Sequence, residues 1–327
     1  MRSEEIALRS LRLAASLFSP GGARGRLSVL IYHRVLARPD PMFPEQIDAA
    51  CFSEQMELLA RRFNVLPLAE AVQRLQSNSL DPRSACITFD DGYADNYTIA
   101  LPILRRHGLT ATFFIAAGFL DGGWMWNDKV IEALRNCSSP VLDLTEIGLG
   151  VHPLDSTALR RSSTDALLGA LKYREPGERE RAANQIVAIS VVDLGASPML
   201  AGWQVRALHD AGMEIGGHTV NHPILRRVTA QQAKREIATG KALLEALIGA
   251  RISLFAYPNG KPGKDYGPEH VAMVRQAGFA AAVSTAWGAA RSASDVFQIA
   301  RFTPWDPRPA RFMLQMLRNY AVKTVTV

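Results

Sequence analysis

The strongest constraint on the fold is a repeated alternation of short apolar segments with stretches whose apolar residues recur at helical spacing. Phe52, Met56, Leu59 and Phe63 show that spacing. Strands that alternate with helices favour parallel strands joined by βα units, so we expect an α/β fold. The number of units after Leu27 suits a barrel better than an open sheet. The predicted strands are 28–32, 85–89, 110–116, 213–215, 252–257, 280–284 and 296–300.

The N-terminal residues 1–18 predict a short amphipathic helix that ends before Pro20. Arg9 and Arg12 interrupt its apolar residues, whereas a secretory signal needs an unbroken apolar stretch of about 7–15 residues. The apolar face either contacts a membrane surface or a partner, or packs on the barrel itself. We favour packing on the barrel.

Residues 121–199 interrupt the alternation, with few strand signals and two charged helical pieces at 164–172 and 176–190. We interpret this stretch as a helical insertion between two strands. Residues 1–26 then form an N-terminal segment, and residues 27–327 form the interrupted barrel. Insertions on α/β scaffolds often cover the ligand-binding face, and passive decoration is the equal alternative.

Composition narrows the range of functions. Hydrophobic residues make up 48% and charged residues 21%, which is ordinary for a globular protein. The three cysteines form no CxxC pair, so neither a disulfide framework nor a zinc knuckle is indicated. The net charge of +6 is spread without a basic run, and we therefore expect no nucleic-acid partner.

Two adjacent carboxylates, Asp90 and Asp91, follow a predicted strand and precede Gly92. Neighbouring strand residues point to opposite faces, so the turn must swing one carboxylate back if both share a site. Two close carboxylates repel each other unless a cation neutralises them, and a metal would separate their roles into ligand and proton acceptor. The alternative is that the pair caps the next helix.

A second candidate site lies at the end of another predicted strand, where His218 and His222 are four residues apart. That spacing places two histidines on one side of a helical turn, as metal sites require. Pro223 disfavours a long helix, so we expect one tight turn. Combined with a carboxylate from the other strand end, the pair makes a facial triad with open positions for water and substrate.

These motifs resemble those of the polysaccharide deacetylase family, which carries the NodB-homology domain and is also called carbohydrate esterase family 4. Residues 88–92 match its first motif letter for letter, and residues 218–222 match its second. The resemblance spans about 27–120 and 200–305 and excludes the insertion. The run from Tyr32 to Val35 is similar to a bacterial subgroup associated with exopolysaccharide and poly-N-acetylglucosamine modification.

The resemblance implies a distorted (β/α)7 barrel of the glycoside hydrolase/deacetylase type. It implies a hydrolase that acts on linear amides, removing N-acetyl groups from a polysaccharide or a lipid-linked saccharide. It also implies a divalent metal, most commonly zinc, with cobalt, nickel, iron and manganese as alternatives. Carried over by position, Asp90 is the general base, and Asp91, His218 and His222 bind the metal.

Two departures from the family pattern concern an arginine and a histidine. The third motif lacks its arginine, and Arg34 and Arg301 are the candidates to replace it; surface ion pairs are the alternative for each. We expect the backbone N–H of Asn259 to donate to the oxyanion that forms during the reaction, and we expect Tyr257 to lie at the same substrate and oxyanion site. The fifth motif lacks its histidine, so strand-end His33 becomes the candidate acid for the leaving amine, with a structural bond to backbone as the alternative.

Trp126 and Trp305 follow strands and are candidates to stack on sugar rings, with packing as the alternative. Two competing functions stay open: a related amidohydrolase acting on a small non-carbohydrate amide, and a catalytically inactive carbohydrate-binding relative. We expect the enzyme in the cytoplasm or peripherally at the inner membrane, with the periplasm kept as an alternative. The oligomeric state and the acceptor glycan are not indicated by the sequence.

Overall fold

The computed structural model describes residues 2–304, 306 and 308–327, with side chains described from residue 8 onward. Its strands are β1 Ser28–Tyr32, β2 Asn64–Val65, β3 Ser84–Phe89, β4 Thr112–Ile115, β5 Val141–Leu144, β6 Gly150–Pro153, β7 Glu214–Gly217, β8 Leu254–Ala256 and β9 Ala281–Val283. Its helices are α1 Arg2–Phe18, α2 Ala49–Arg62, α3 Leu68–Gln76, α4 Leu101–Arg106, α5 Trp126–Asn136, α6 Thr157–Leu171, α7 Pro176–Ser190, α8 Gly202–Asp210, α9 Ala230–Ile248, α10 Pro268–Gln276 and α11 Pro309–Ala321.

The main sheet is parallel and runs in the order β1-β3-β4-β7-β8-β9, with β2 paired to the start of β3. The sheet curls because residues 299–302 bridge its two edges: Ile299 pairs with Val283, and Phe302 pairs with Leu30. This confirms the α/β class and the distorted barrel. The predicted strand at 296–300 is corrected to this irregular segment, which makes only isolated bridges.

Apolar side chains fill the space between the sheet and its surrounding helices. All the residues of β1 and β3 are buried, as expected for parallel strands covered on both faces. The rings of Phe89 and Phe113 stack at 4.8 Å, and Phe52 of α2 meets Tyr32 edge-on at 5.2 Å. This packing holds the carboxyl ends of the strands in one rim.

The insertion contains both helices and strands. α5, α6 and α7 pack around an antiparallel hairpin of β5 and β6, which was not predicted. The available signal in the sequence was the polar Asp143 between the apolar Leu142 and Leu144. Leu134, Leu142, Leu167 and Ile186 belong to an apolar cluster distinct from that of the barrel. The insertion is therefore mainly helical, with one short hairpin added.

The N-terminal helix α1 packs against α11, and its Leu8 and Ala15 are buried. This agrees with the packing interpretation. Leu13 and Leu17 on the same helix are exposed, so contact with a membrane or partner stays a prediction. Among the described residues, none of the helices combines the length and apolarity that a membrane crossing requires.

Candidate active site

The predicted reacting residues come from different strands but meet at one rim of the barrel. Asp90 and Asp91 follow β3, His218 follows β7 and His33 follows β1. Because parallel strands end at the same edge, their following residues converge there. In α/β barrels this edge is where active sites form.

Asp90 is held by a buried arginine from the segment that closes the barrel. Its N–H donates to the carbonyl of Tyr32 at 2.9 Å, which continues the strand pairing. Nη1 and Nη2 of Arg301 donate to the two carboxylate oxygens of Asp90, both at 2.7 Å, and Nε donates to the carbonyl of Ser284. Burial opposes ionisation of Asp90, but the charges of Arg301 and His218 hold its pKa below the ordinary value. The carboxylate is therefore oriented and ionised.

Asp91 is turned back towards Asp90 by a backbone conformation that few residues adopt. Its φ is 75°, and that of the following Gly92 is 91°. A Cβ at Gly92 would lie 3.2 Å from Cγ2 of Ile115, so glycine also provides space. The expected swing of one carboxylate is confirmed, and it places both acids in one site.

His218 is oriented by the neighbouring strand. Its Nδ1 lies 2.7 Å from the carbonyl oxygen of Ala256. A carbonyl only accepts, so Nδ1 carries the hydrogen and Nε2 is free to bind a metal. Nε2 lies 3.4 Å from Oδ1 of Asp91 and 3.9 Å from Oδ2 of Asp90.

His222 lies in a short loop outside any helix, which agrees with the tight turn expected before Pro223. Thr219 and His222 both have left-handed backbone conformations, with φ of 68° and 51°. Glu236 of α9 fixes the loop by accepting from the N–H groups of Val220 and Asn221. A Cβ at Gly240 of α9 would lie 2.7 Å from the Thr219 backbone, so the loop seats against bare helix backbone.

Asp91, His218 and His222 form a ligand set suited to a metal. Their ligand atoms all lie within 4.8 Å of one another, and Nε2 of His222 is 3.4 Å from Oδ1 of Asp91. That Asp91 oxygen is buried and has no hydrogen-bond partner among the described residues, although a buried anionic oxygen needs one. Burial lowers the pKa of His222 to about 3, so the ring is neutral, the form that binds a metal. The residues present fit a divalent cation.

His33 and Arg34 both line the cleft but have different surroundings. His33 is exposed, and its carbonyl accepts from the side chain of Asn96. Arg34 donates through Nε to Asp95 at 2.8 Å and lies over the ring of Tyr93 at 4.9 Å. Arg34 is therefore paired with Asp95, and Arg301 is the arginine that contacts Asp90.

The loop after β8 brings Asn259 to the cleft but not Tyr257. Asn259 lines the cleft in a left-handed conformation with φ of 58°. Within the described ranges, its N–H donates to no protein acceptor. Tyr257 is fully buried, stacks on Tyr266 at 3.9 Å and donates to the carbonyl of Phe297. The expected contact of Tyr257 with substrate is therefore wrong.

The cleft has a volume of about 450 Å³ and lies between the barrel rim and the insertion. Trp126, at the start of α5, lines it, as the stacking prediction requires. Ile131, Leu168, Lys172 and Arg179 also come from the insertion. Trp305 lies outside the described residues. The insertion thus forms one wall of the cleft, which favours covering over decoration.

Sequence reasoning missed a buried pair in the cleft, Tyr93 and Asp128. The hydroxyl of Tyr93 lies 3.1 and 3.2 Å from the two carboxyl oxygens of Asp128. Burial raises the pKa of Asp128 to about 7, with the charge of Arg34 opposing and that of Asp91 adding to the rise. A charged residue beside Trp126 at a helix start was the available signal.

A rim of acids and histidines on a curled parallel sheet, open to a cleft, defines an α/β-barrel hydrolase. Residues 77–136 and 196–282 match the family model described as polysaccharide deacetylase. The unmatched residues 137–195 lie within the insertion.

Individual relatives agree with this match. One relative is YxkH of Bacillus subtilis strain 168, which is named as a polysaccharide deacetylase by provisional assignment. The two sequences are 22% identical over 278 residues, which cover 84% of this chain and 70% of YxkH. The Streptococcus pyogenes deacetylase PplD, solved with acetate, aligns with a TM-score of 0.60 and 19% identity over 89% of this chain and 98% of that one. IcaB from Ammonifex degensii aligns with a TM-score of 0.57 and 20% identity over 88% and 97%. These structures share the fold of this chain.

Residues 77–136 and 196–282 therefore form a domain of the polysaccharide deacetylase family, as the motifs predicted. Its class of activity is that of a polysaccharide N-deacetylase.

Proposed function

We propose that the protein is a metal-dependent hydrolase that removes N-acetyl groups from sugar units of a polysaccharide or lipid-linked saccharide. The observation that carries this proposal is the buried Oδ1 of Asp91, which has no hydrogen-bond partner among the described residues. It lies 3.4 Å from Nε2 of both His218 and His222, beside an Asp90 clamped by Arg301.

The proposed ligands are Asp91, His218 and His222. A divalent cation bound there, zinc being the family's commonest, would lower the pKa of water and polarise the acetyl carbonyl. The hydrogen bond from His218 to the carbonyl of Ala256 orients one ligand. Glu236 orients the loop that carries the other histidine.

Asp90 is the proposed general base. It accepts a proton from water as the oxygen adds to the acetyl carbon. Arg301 keeps the carboxylate ionised and pointed into the site. The N–H of Asn259, which has no protein acceptor within the described part of the chain, is the proposed donor to the developing oxyanion.

His33 is the proposed proton donor. When the C–N bond breaks, the leaving amine takes a proton from His33 and acetate remains. The histidine is exposed in the cleft beside the Asp90 strand, since β1 and β3 pair up to Tyr32 and Phe89. A nearby imidazole suits this transfer at neutral pH because its ordinary pKa is about 6.5.

Exopolysaccharide is the proposed source of the substrate. The Tyr32 to Val35 run, which resembles the subgroup associated with exopolysaccharide modification, supports it. A cleft walled by Trp126 supports binding of a sugar ring, because aromatic faces pack on apolar ring surfaces.

The test is acetate release from chitooligosaccharides and other N-acetylated glycans, with and without chelator. We expect release that chelator abolishes and zinc restores. The double variant His218→Ala/His222→Ala should lose both activity and stoichiometric metal, whereas the exposed His209→Ala should keep both.

The two carboxylates separate the roles further. Asp91→Asn should weaken metal binding, while Asp90→Asn should keep the metal and lower turnover by about 10²–10⁴-fold. Metal retained by the double histidine variant at unchanged affinity would contradict the ligand assignment. Acetate release from a small non-carbohydrate amide but from no glycan would favour the competing amidohydrolase.

A further inference from the structure

Two of the four arginine and lysine side chains that line the cleft are paired with acids of the protein. Arg34 donates to Asp95 at 2.8 Å, and Arg135 donates to Asp40 at 2.7 Å. Arg135 also pairs with Glu132 at 3.0 Å. Such pairs neutralise each other and leave little charge to attract a ligand.

Arg179 of α7 is different. Its side chain is buried, with 5% exposure, yet it lines the cleft. Nη1 donates to the carbonyl of Lys172 at 3.2 Å, and the guanidinium lies 4.9 Å from the centre of the Trp126 ring. Within residues 8–304, 306 and 308–327, no carboxylate oxygen lies within the 4.0 Å of an ion pair.

The acids nearest to Arg179 along the chain are engaged elsewhere. Glu175 caps α7 by accepting from the N–H of Glu178 at 2.9 Å. Glu180 pairs with Lys129. Arg179 therefore has a carbonyl and an aromatic face as partners. Within the described ranges no carboxylate lies at ion-pair distance from it, and the charges of Glu180 and Glu175 act on it only from farther away.

A buried guanidinium without an anion is unfavourable, and its place in the helix adds to the cost. Burial lowers the pKa of Arg179. The residue lies in the first turn of Pro176–Ser190, where the helix dipole disfavours a cation. An anion bound from outside the protein would offset both the cost of burying the charge and the unfavourable effect of the helix dipole.

Lys172 provides a second unpaired cation on the same wall. It follows α6, lines the cleft, and has no acid within ion-pair distance in the described part of the chain. Its carbonyl is the acceptor that holds Arg179. Two cations linked by this bond face a cleft that also contains His222 and Asp90.

We infer that Arg179 and Lys172 form a subsite for an anionic group on the glycan, a carboxylate or a phosphate, next to the N-acetylated sugar. The inference rests on the proposed function. Trp126 would support the sugar between this subsite and the reacting groups. Arginine suits either anion, because its planar donors bind oxyanions in pairs.

The experiment compares deacetylation of three matched probes: a neutral chitooligosaccharide, an oligosaccharide alternating N-acetylglucosamine with a uronic acid, and an N-acetylglucosamine oligosaccharide ending in a phosphate. We expect kcat/KM to be about 10–100-fold higher for an anionic probe than for the neutral one, the scale of a charge-assisted hydrogen bond. Preference for the uronic acid assigns a carboxylate, and preference for the phosphate assigns a phosphate.

Arg179→Gln should lower the anionic-to-neutral ratio by at least about 10-fold, and Lys172→Gln should lower it less. The exposed Arg181→Gln, on the same helix, should leave the ratio unchanged. Raised salt should reduce the ratio in the wild type, since charge attraction is screened. If Arg179→Gln lowers kcat/KM equally on all probes, the residue merely supports Trp126 and the inference is overturned.

A binding measurement separates failure of the subsite from failure of the proposed function. Calorimetric titration with the two anionic probes, in chelator so that turnover stops, should show weaker binding to Arg179→Gln than to Arg181→Gln. Acetate release from none of the probes, with this difference intact, refutes the deacetylase but keeps the subsite. Equal binding by both variants refutes the subsite. Arg179→Lys, which keeps the charge, should retain part of the preference if Arg179→Gln fails to fold.

Discussion

The barrel rim and the insertion wall face each other across one cleft, but they differ in how their charged side chains are paired. On the rim, Asp90 is clamped by Arg301, and Asp91 is matched to two histidines. On the wall, Arg179 and Lys172 have no acid partner within the described residues, and the buried Asp128 has a tyrosine hydroxyl. The rim is thus preorganised for one reaction, whereas the wall is left open to the ligand.

The backbone shows the same difference. Left-handed conformations at Asp91, Thr219, His222 and Asn259 hold the rim in place, and strain of this kind concentrates at functional sites. The insertion forms an apolar cluster of its own and needs no such conformations where it lines the cleft. The barrel rim therefore carries the cluster of acids and histidines, and the insertion provides the other wall of the cleft.

The largest expected effect tests the pairing on the rim. Arg301→Met should lower the free energy of unfolding by about 3–5 kcal/mol, because Asp90 is left as a buried charge without a partner. Adding Asp90→Asn should recover much of that loss without restoring acetate release. Urea unfolding measures the free energy of unfolding. If the double variant is no more stable than Arg301→Met, loss of the pairing with Asp90 does not explain the destabilisation.

A smaller effect is expected at His33, which tests whether the rim supplies the acid. His33→Gln should lower kcat/KM for amide substrates by about 10²-fold, the usual scale for one acid or base. Activated acetate esters should change little, because their leaving groups need no proton. His209→Gln serves as the matched control, and wild-type amide hydrolysis by His33→Gln would remove His33 from the mechanism.

The smallest effect concerns the wall. The folded pKa of Asp128 is about 7, above its ordinary 3.8, so the carboxyl holds its proton more tightly in the folded protein. This contributes stability below about pH 4 that is lost as pH rises through 7. Asp128→Asn removes that dependence.

Denaturant unfolding from pH 4 to 7.5, in chelator so that Asp91 keeps its charge, measures this effect. The wild type should lose about 1–2 kcal/mol relative to Asp128→Asn across that range, less than the full 1.4 kcal/mol per pKa unit because water enters the site. If the stability of the two proteins depends on pH in the same way, Asp128 stays ionised in the folded protein. The wall would then carry a buried ionised acid, as the rim does.

Local patterns predicted much of the fold. The strand at 28–32 coincides with β1, and Pro176–Ser190 coincides with a predicted helix, since each has a clear period and clear ends. The hairpin of the insertion was missed because its strands are short and half-exposed. The tight turn before Pro223 was predicted, but the hydrogen bonds by which Glu236 holds it were not, because spacing alone does not reveal partners that are distant in the chain.

The sequence by itself determined the reacting groups: two acids and a glycine after one strand, and two histidines after another, in the order of a known family. Their chemistry depends on residue type and local turn geometry, both of which are written in neighbouring residues. Only the tertiary structure showed that Arg301, and not Arg34, contacts Asp90. It also showed that Tyr257 is buried away from the cleft and that Arg179 and Asp128 line the cleft. Those outcomes depend on burial and on partners far away in the chain, such as the 211 residues that separate Arg301 from Asp90.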